Sequence, residues 1–154
     1  MESTNYKKIM IATDGSVLGK KAIEYGVEIA RLSGAKLYAV NVVSAGGHHL
    51  IPPRDAGWEN AMKEQLKTEG IEATSYVEKA GTDAGVETEA VILEGHPVEE
   101  IVKFSEENDI DLVVMGTLGK TGINKFLLGS VAEKVIRNSK KAVLVVRGEK
   151  GEKA

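Results

Sequence analysis

Two glycine clusters frame the most informative stretch of the chain: Gly116-Thr117-Leu118-Gly119-Lys120-Thr121-Gly122 and, after Ile123 to Leu128, Gly129-Ser130. Glycine lets backbone N–H groups approach an anion with no Cβ in the way, and it permits left-handed turns. The stretch leaves the apolar run Leu112 to Met115 and enters a helical pattern. It therefore ends at a helix N-terminus, whose unpaired N–H groups and positive dipole end suit phosphate. Ser130 adds a hydroxyl beside those groups, and Lys120 a positive charge. On spacing alone a plainer role competes: Gly116 and Gly119 make a turn and Ser130 caps a helix. Two better-known phosphate loops are excluded. Gly119-Lys120-Thr121 looks like the end of a P-loop, but Val114 stands where its first glycine belongs, and Gly15 and Gly19 form no GxGxxG after the first strand.

The other chemistry-bearing residues give weaker signals. Asp14 suits a ribose hydroxyl or a metal-bound water, and equally a helix cap or the turn through Gly15. His48 and His49 are adjacent, so in an extended chain they point apart, and no ordered set of carboxylates accompanies them. A solvated loop is the expectation there. His96 precedes Pro97 and reads as a helix-entry residue. The pairs Glu99-Glu100 and Glu106-Glu107 read as a solvated helix face. With no cysteine in the chain, disulfides, thiolate metal sites and cysteine nucleophiles are excluded.

Short apolar runs must position these groups, and they alternate with helical patterns throughout. Strands are expected at Lys8–Thr13, Lys36–Val43, Val86–Leu93, Leu112–Met115 and Ala142–Val146. The first helix, Val17 to Ser33, carries an apolar stripe at Leu18, Ala22, Tyr25, Ile29 and Leu32, and Gly34 stops it. A second spans Trp58 to Ala80, its pattern interrupted by Gly70. Pro97 opens a third, with Val98, Ile101, Val102 and Ser105 facing inward. Val131, Ala132, Val135 and Ile136 mark a fourth. This β-α-β-α order predicts an α/β fold, a doubly wound parallel sheet with helices on both faces. In such sheets ligands bind beyond the carboxyl ends of the strands, where the winding reverses.

The 154 residues suit one domain, with a frayed tail from about residue 148. A hydrophobic share of 42% and a net charge of -3 point to neither a nucleic-acid surface nor a polybasic membrane patch. The apolar stretch Ile9–Ala12 is too short for a leader or a span, so a cytoplasmic location is expected. The third strand alternates Glu87 and Glu89 with Ala90 and Ile92, as a partly exposed edge does. The fifth, Ala-Val-Leu-Val-Val, reads as a strand covered on both faces. If it is an edge, it is a bare one unless another chain covers it, so a homodimer joined along Ala142 to Val146 is expected.

Gly116-x2-Gly119-x9-Gly129-Ser130 resembles the ATP-binding signature of the universal stress protein family. The likeness extends to Asp111-Leu-Val-Val-Met-Gly116 before it, Leu127-Leu-Gly-Ser-Val-Ala-Glu133 and then Ala142–Val146 after it, and Ile9-Met-Ile-Ala-Thr-Asp14-Gly-Ser16 at the start. It covers essentially the whole chain apart from the loop around Ala45 to Arg54 and both tails. The resemblance implies a Rossmann-like five-stranded sheet of order 3-2-1-4-5, with Ala12, Thr13 and Asp14 against a nucleoside and Val42 beside adenine. Met115, Gly116, Thr117, Gly119, Lys120, Gly129, Ser130 and Val131 would hold ribose and phosphates. It implies ATP as ligand, Mg2+ or Mn2+ carried by the phosphates, and dimers through the last strand. A regulatory ATP binder is the function expected. The alternative is a slow ATPase, an autokinase or an adenylate-forming enzyme, against which the first loop reads Thr13-Asp14-Gly15-Ser16 and not SGGxDS. A phosphoacceptor switch of flavodoxin-like topology would need clustered acids after strands one and three with a lysine after five, and Asp14 stands without that set.

Overall fold

The computed structural model describes residues 5–15, 19–44, 56–117 and 128–148. Strands and helices alternate strictly along them. The first half runs β1 (Lys8–Ala12), α1 (Lys20–Ser33), β2 (Lys36–Val43) and α2 (Ala56–Asp83). The second runs β3 (Thr88–Glu94), α3 (Pro97–Glu107), β4 (Leu112–Gly116), α4 (Ser130–Asn138) and β5 (Ala142–Val146). The strands form one five-stranded sheet of order β3-β2-β1-β4-β5, every pair parallel. This is the Rossmann-like order expected. No helix among the described residues is long and apolar enough to cross a membrane.

Alternation along the central strands feeds two cores. Ile9 and Ile11 of β1 point into one with Leu37, Ala39, Val77 and Val114, beneath α1 and α2. Met10 points into the other with Tyr38, Val40, Val113, Ile101 and Val135, beneath α3 and α4. Burial on both faces is why Ile9–Ala12 of β1 and all of β4 are apolar without a break. Asp111 pins the entry end of this pair. Its Oδ2 accepts the backbone N–H groups of Lys7 (2.8 Å) and Lys8 (2.9 Å), while its own N–H donates to the Lys8 carbonyl (2.8 Å).

Four expectations are corrected. The apolar stripe read on α1 matches its buried face only in part: Ala22 is buried and Ile29 packs against the core, but Tyr25 and Leu32 are 49% and 70% exposed, and the other buried residues are Ile23, Gly26, Val27 and Ala30. Ala22, Gly26 and Ala30 recur every four residues, and their small size lets the helix lie close to the sheet. Bulk hydrophobicity misses such a face because its shape counts for more than its apolar area. Second, α2 runs unbroken through Gly70. A Cβ there would stand 2.6 Å from Asn41 Oδ1, so packing requires glycine. That requirement outweighs the roughly 1 kcal/mol by which glycine weakens a helix. Third, β5 is only half-covered, Leu144 packing against one core and Val143 and Val145 against the other. It is the outermost strand, with Ala142 exposed and Val143 to Val145 half-buried. Ile136 of α4, read as part of an inner stripe, is 45% exposed for the same reason: little of the sheet lies beneath it.

The close approach of α1 is testable at Gly26. A Cβ there would lie 2.5 Å from Ile11 Cδ1 and 2.7 Å from its Cγ1, and Ile11 is fully buried against Val114. Gly26→Val is expected to cost about 1–3 kcal/mol by overpacking. Urea unfolding should show a lower midpoint at an unchanged slope.

Candidate functional site

Because β1 and β4 are neighbours in register (Ile9 with Leu112, Ile11 with Val114), their carboxyl ends emerge side by side. Ala12, Thr13 and Asp14 leave one strand; Met115, Gly116 and Thr117 leave the other. Winding reverses between them, since the chain goes from β1 toward β2 and β3 on one side and from β4 to β5 on the other. This is the crevice where open parallel sheets bind ligands.

Backbone bonds build the β4–α4 side of the crevice. Thr117 N–H donates to the Val146 carbonyl at 3.1 Å, extending the β4–β5 ladder by one residue. The Thr117 carbonyl then accepts the Gly129 N–H at 2.6 Å. The two halves of the glycine signature, eleven intervening residues apart in sequence, are thereby joined through one peptide group. Gly129 occupies the N-cap position of α4 and its carbonyl accepts the Glu133 N–H at 3.0 Å. Ser130 is the first residue of the helix, so it is not the cap, and no side chain caps this end. The leading N–H groups of α4, at Ser130, Val131 and Ala132, are those a helix leaves without an intrahelical partner. Gly129 has φ -63° and ψ 152°, an ordinary extended conformation that any residue adopts. Its backbone does not call for glycine, which leaves the absence of a side chain as the property in use.

The β1 side of the crevice is held from β2. Thr13 donates its N–H to the Val40 carbonyl (2.9 Å), and its own carbonyl accepts Nδ2 of Asn41 (2.9 Å). Its Oγ1 accepts the Gly15 N–H at 3.2 Å, in a turn where Gly15 has φ 80°. A Cβ on Gly15 would lie 3.2 Å from that of Ala73, so this turn rests on α2. Ala12, Val42, Met115 and Val131 all belong to the same apolar cluster, Met115 buried and the other three half-buried. They converge from β1, β2, β4 and α4.

Two hollows open around this crest. One, of about 280 Å³, reaches Thr13, Asp14, Lys20, Glu72 and Tyr76 between α1 and α2. The other, of about 850 Å³, runs between α3 and α4 and takes in His96, Val102, Ser130, Val131 and Lys134. Gly119 and Lys120 lie outside the described residues, as do His48 and His49. His96 stands at the N-cap position of α3, the helix-entry place expected of it. Glu99, Glu106 and Glu107 are exposed and Glu100 half-buried. Among the described residues no group of three metal-ligating side chains comes together.

Asn41 and Gly70 are the positioning residues that motif reasoning passed over. Asn41 is a polar side chain within the apolar strand Lys-Leu-Tyr-Ala-Val-Asn-Val-Val, and Gly70 is a glycine inside a long helix. Either anomaly is a signal of close approach, and the two prove to touch.

With these features in place, the chain can be set beside known proteins. It belongs to the universal stress protein family, whose family model matches residues 5–147. It is 45% identical over 147 residues to universal stress protein MJ0531 of Methanocaldococcus jannaschii, covering 96% of this chain and 85% of that one. Universal stress protein MJ0577 of the same organism is 33% identical over 160 residues, with 94% and 97% covered. The solved structure of MJ0577 superposes with a TM-score of 0.83 at 32% identity, covering 96% of this chain and all of that one (100%). A universal stress protein from Archaeoglobus fulgidus, solved in complex with dAMP, gives a TM-score of 0.69 at 26% identity, with 94% and 100% covered.

The Asn41 clamp predicts a stability cost. Asn41→Ala leaves the half-buried Thr13 carbonyl without its donor, which is expected to cost about 1–2 kcal/mol. Chemical denaturation measures it, and an unchanged midpoint would show that the clamp contributes nothing.

Proposed function

We propose that this protein is an ATP-binding regulator of the universal stress type, a single nucleotide-binding domain acting in the cytoplasm. The carrying observation is the Gly129 N–H bond to the Thr117 carbonyl. It sets the leading N–H groups of α4 beside the ends of β1 and β4. Phosphates would sit against Gly116, Gly129, Ser130 and Val131, with Gly119 and Lys120 contributing from the segment between. The ribose would lie near Thr13 and Asp14, and adenine against the apolar side chains of Ala12 and Val42. A relative solved with dAMP and another solved with cAMP (29% identical, TM-score 0.66) support an adenine nucleotide as the ligand class. Mg2+ or Mn2+ would arrive on the phosphates, as hard cations commonly do, and needs no cage built by the protein. Two copies would join along β5. Among the described residues of the crevice we assign none the role of general base, and we read the nucleotide as a ligand whose occupancy the rest of the protein registers.

Mass analysis of nucleotide released on denaturing the purified protein is expected to find ATP. Gly129→Val is the sharper test. Valine adopts the Gly129 backbone conformation readily, so thermal melting should be unchanged. Its side chain would displace phosphate from the helix N-terminus, and each lost charged hydrogen bond is worth about 1.5–3 kcal/mol. Calorimetry should therefore show ATP affinity lower by at least tenfold, and an unchanged affinity would remove the phosphates from this position. Turnover is expected to fall well below about one per second, the low end for enzymes. Steady hydrolysis at that rate would favour an ATPase.

A further inference from the structure

We propose that His96 closes the outer end of the crevice and reads the base of the nucleotide, its imidazole accepting a hydrogen bond from the 6-amino group of adenine. The role deepens the adenine-nucleotide reading of the crevice and rests on it.

The strand order serves as a ruler. Neighbouring strands lie about 4.8 Å apart, so the carboxyl ends of β4, β1, β2 and β3 form a row about 14 Å long. Phosphates at Gly129 and Ser130 stand at the β4 end of that row, and a ribose at Thr13 and Asp14 stands over β1. The base then extends over Val42 of β2, and its far edge arrives at β3. Gly95 and His96 follow β3 at that point. The Gly95 N–H donates to the Val43 carbonyl at 3.0 Å, carrying the β2–β3 ladder one residue past the pair Val43 and Glu94. Gly95 has φ 145°, and a Cβ on it would lie 2.9 Å from Cγ and Oε1 of Glu100. The turn that delivers His96 is thus held by β2 on one side and α3 on the other.

The two helices that begin at this edge decide which end of the nucleotide goes where. α4 opens with N–H groups that have no intrahelical partner and with Gly129 in front of them. α3 opens with Pro97, which has no N–H, and carries Glu99 and Glu100 in its first turn. Phosphate suits the first start and is repelled by the second. The uncharged base is left to face α3.

The surface between them agrees. Leu93, Val42, Ala12 and Met115, from β3, β2, β1 and β4, share one apolar cluster with Val98 and Val131. The hollow of about 850 Å³ between α3 and α4 has His96 and Pro97 on one wall and Ser130 and Val131 on the other. Apolar sides cover the faces of a planar base, and its edge then needs a polar partner. His96 is exposed and makes no capping bond to α3. In its neutral form an imidazole offers one donor and one acceptor nitrogen. The part of a purine farthest from its sugar is the six-membered ring, which in adenine bears an amino donor and in guanine an oxygen.

Calorimetry on the full chain tests this with ATP and with purine riboside triphosphate, which differs from ATP in lacking the 6-amino group. The wild type is expected to bind ATP about fivefold more tightly, the worth of one neutral hydrogen bond. His96→Ala should bring ATP down to the affinity of the analogue and leave the analogue's own affinity unchanged. His96→Gln, whose amide oxygen still accepts, should restore part of the preference. Melting should be the same in both variants as in the wild type, because the side chain is exposed. If the wild type binds ATP and the analogue equally, or His96→Ala weakens both alike or neither, the base contact is overturned while the ATP reading stands. A wild type that binds neither nucleotide overturns the ATP reading, and the role of His96 with it.

Discussion

Asp111 accepts the N–H groups of both Lys7 and Lys8 through one carboxylate oxygen, and this fixes where β1 begins against β4. Parallel strands locked in register at one end must emerge level at the other, because each residue rises by nearly the same amount. Thr13 and Gly116 therefore leave the sheet together, and the crevice between them is as well defined as the ladder behind it. The remaining parts are attached to that pair. β2 reaches Thr13 through Val40 and Asn41, β5 reaches Thr117 through Val146, and Thr117 in turn holds Gly129. A change in the β1–β4 register by one residue would reverse every inward side chain and dismantle the crevice at the same time.

Glycine serves different purposes in this fold, and the local geometry separates them. Gly26 and Gly70 bring helices against the sheet, where a Cβ would meet Ile11 or Asn41. Gly15 and Gly34 take left-handed backbone conformations, at φ 80° and 71°. Gly129 does neither in the described structure, and its extended backbone would accept a side chain. A position kept free of a side chain at a helix N-terminus is what close approach by an anion requires.

The two edges of the sheet are managed in opposite ways. β3 is guarded by glutamates, two of them paired with lysines, Glu89 with Lys36 at 3.8 Å and Glu94 with Lys63 at 3.5 Å. β5 carries no charge at all, and apolar side chains border it on both faces of the sheet. This asymmetry leaves β5 as the unguarded edge of the sheet.

The residues by themselves determined the alternation of elements, the parallel sheet and the two glycine clusters, because strand runs, helix periods and turn glycines are local properties of the chain. Pro97 and Gly34 marked helix ends for the same reason. What the helices bury was decided only by tertiary packing. The stripe through Tyr25 and Leu32 is as regular as any core face, yet the buried face is the one whose Ala22, Gly26 and Ala30 fit closest to the sheet. Whether Gly70 breaks a helix or seats it depends on Asn41, a residue on another element. The distance between Thr117 and Gly129 likewise has no local signature, since a single peptide contact closes a long stretch of chain. Local propensity sets which elements form, and the shape each presents to its neighbours sets which of their residues meet.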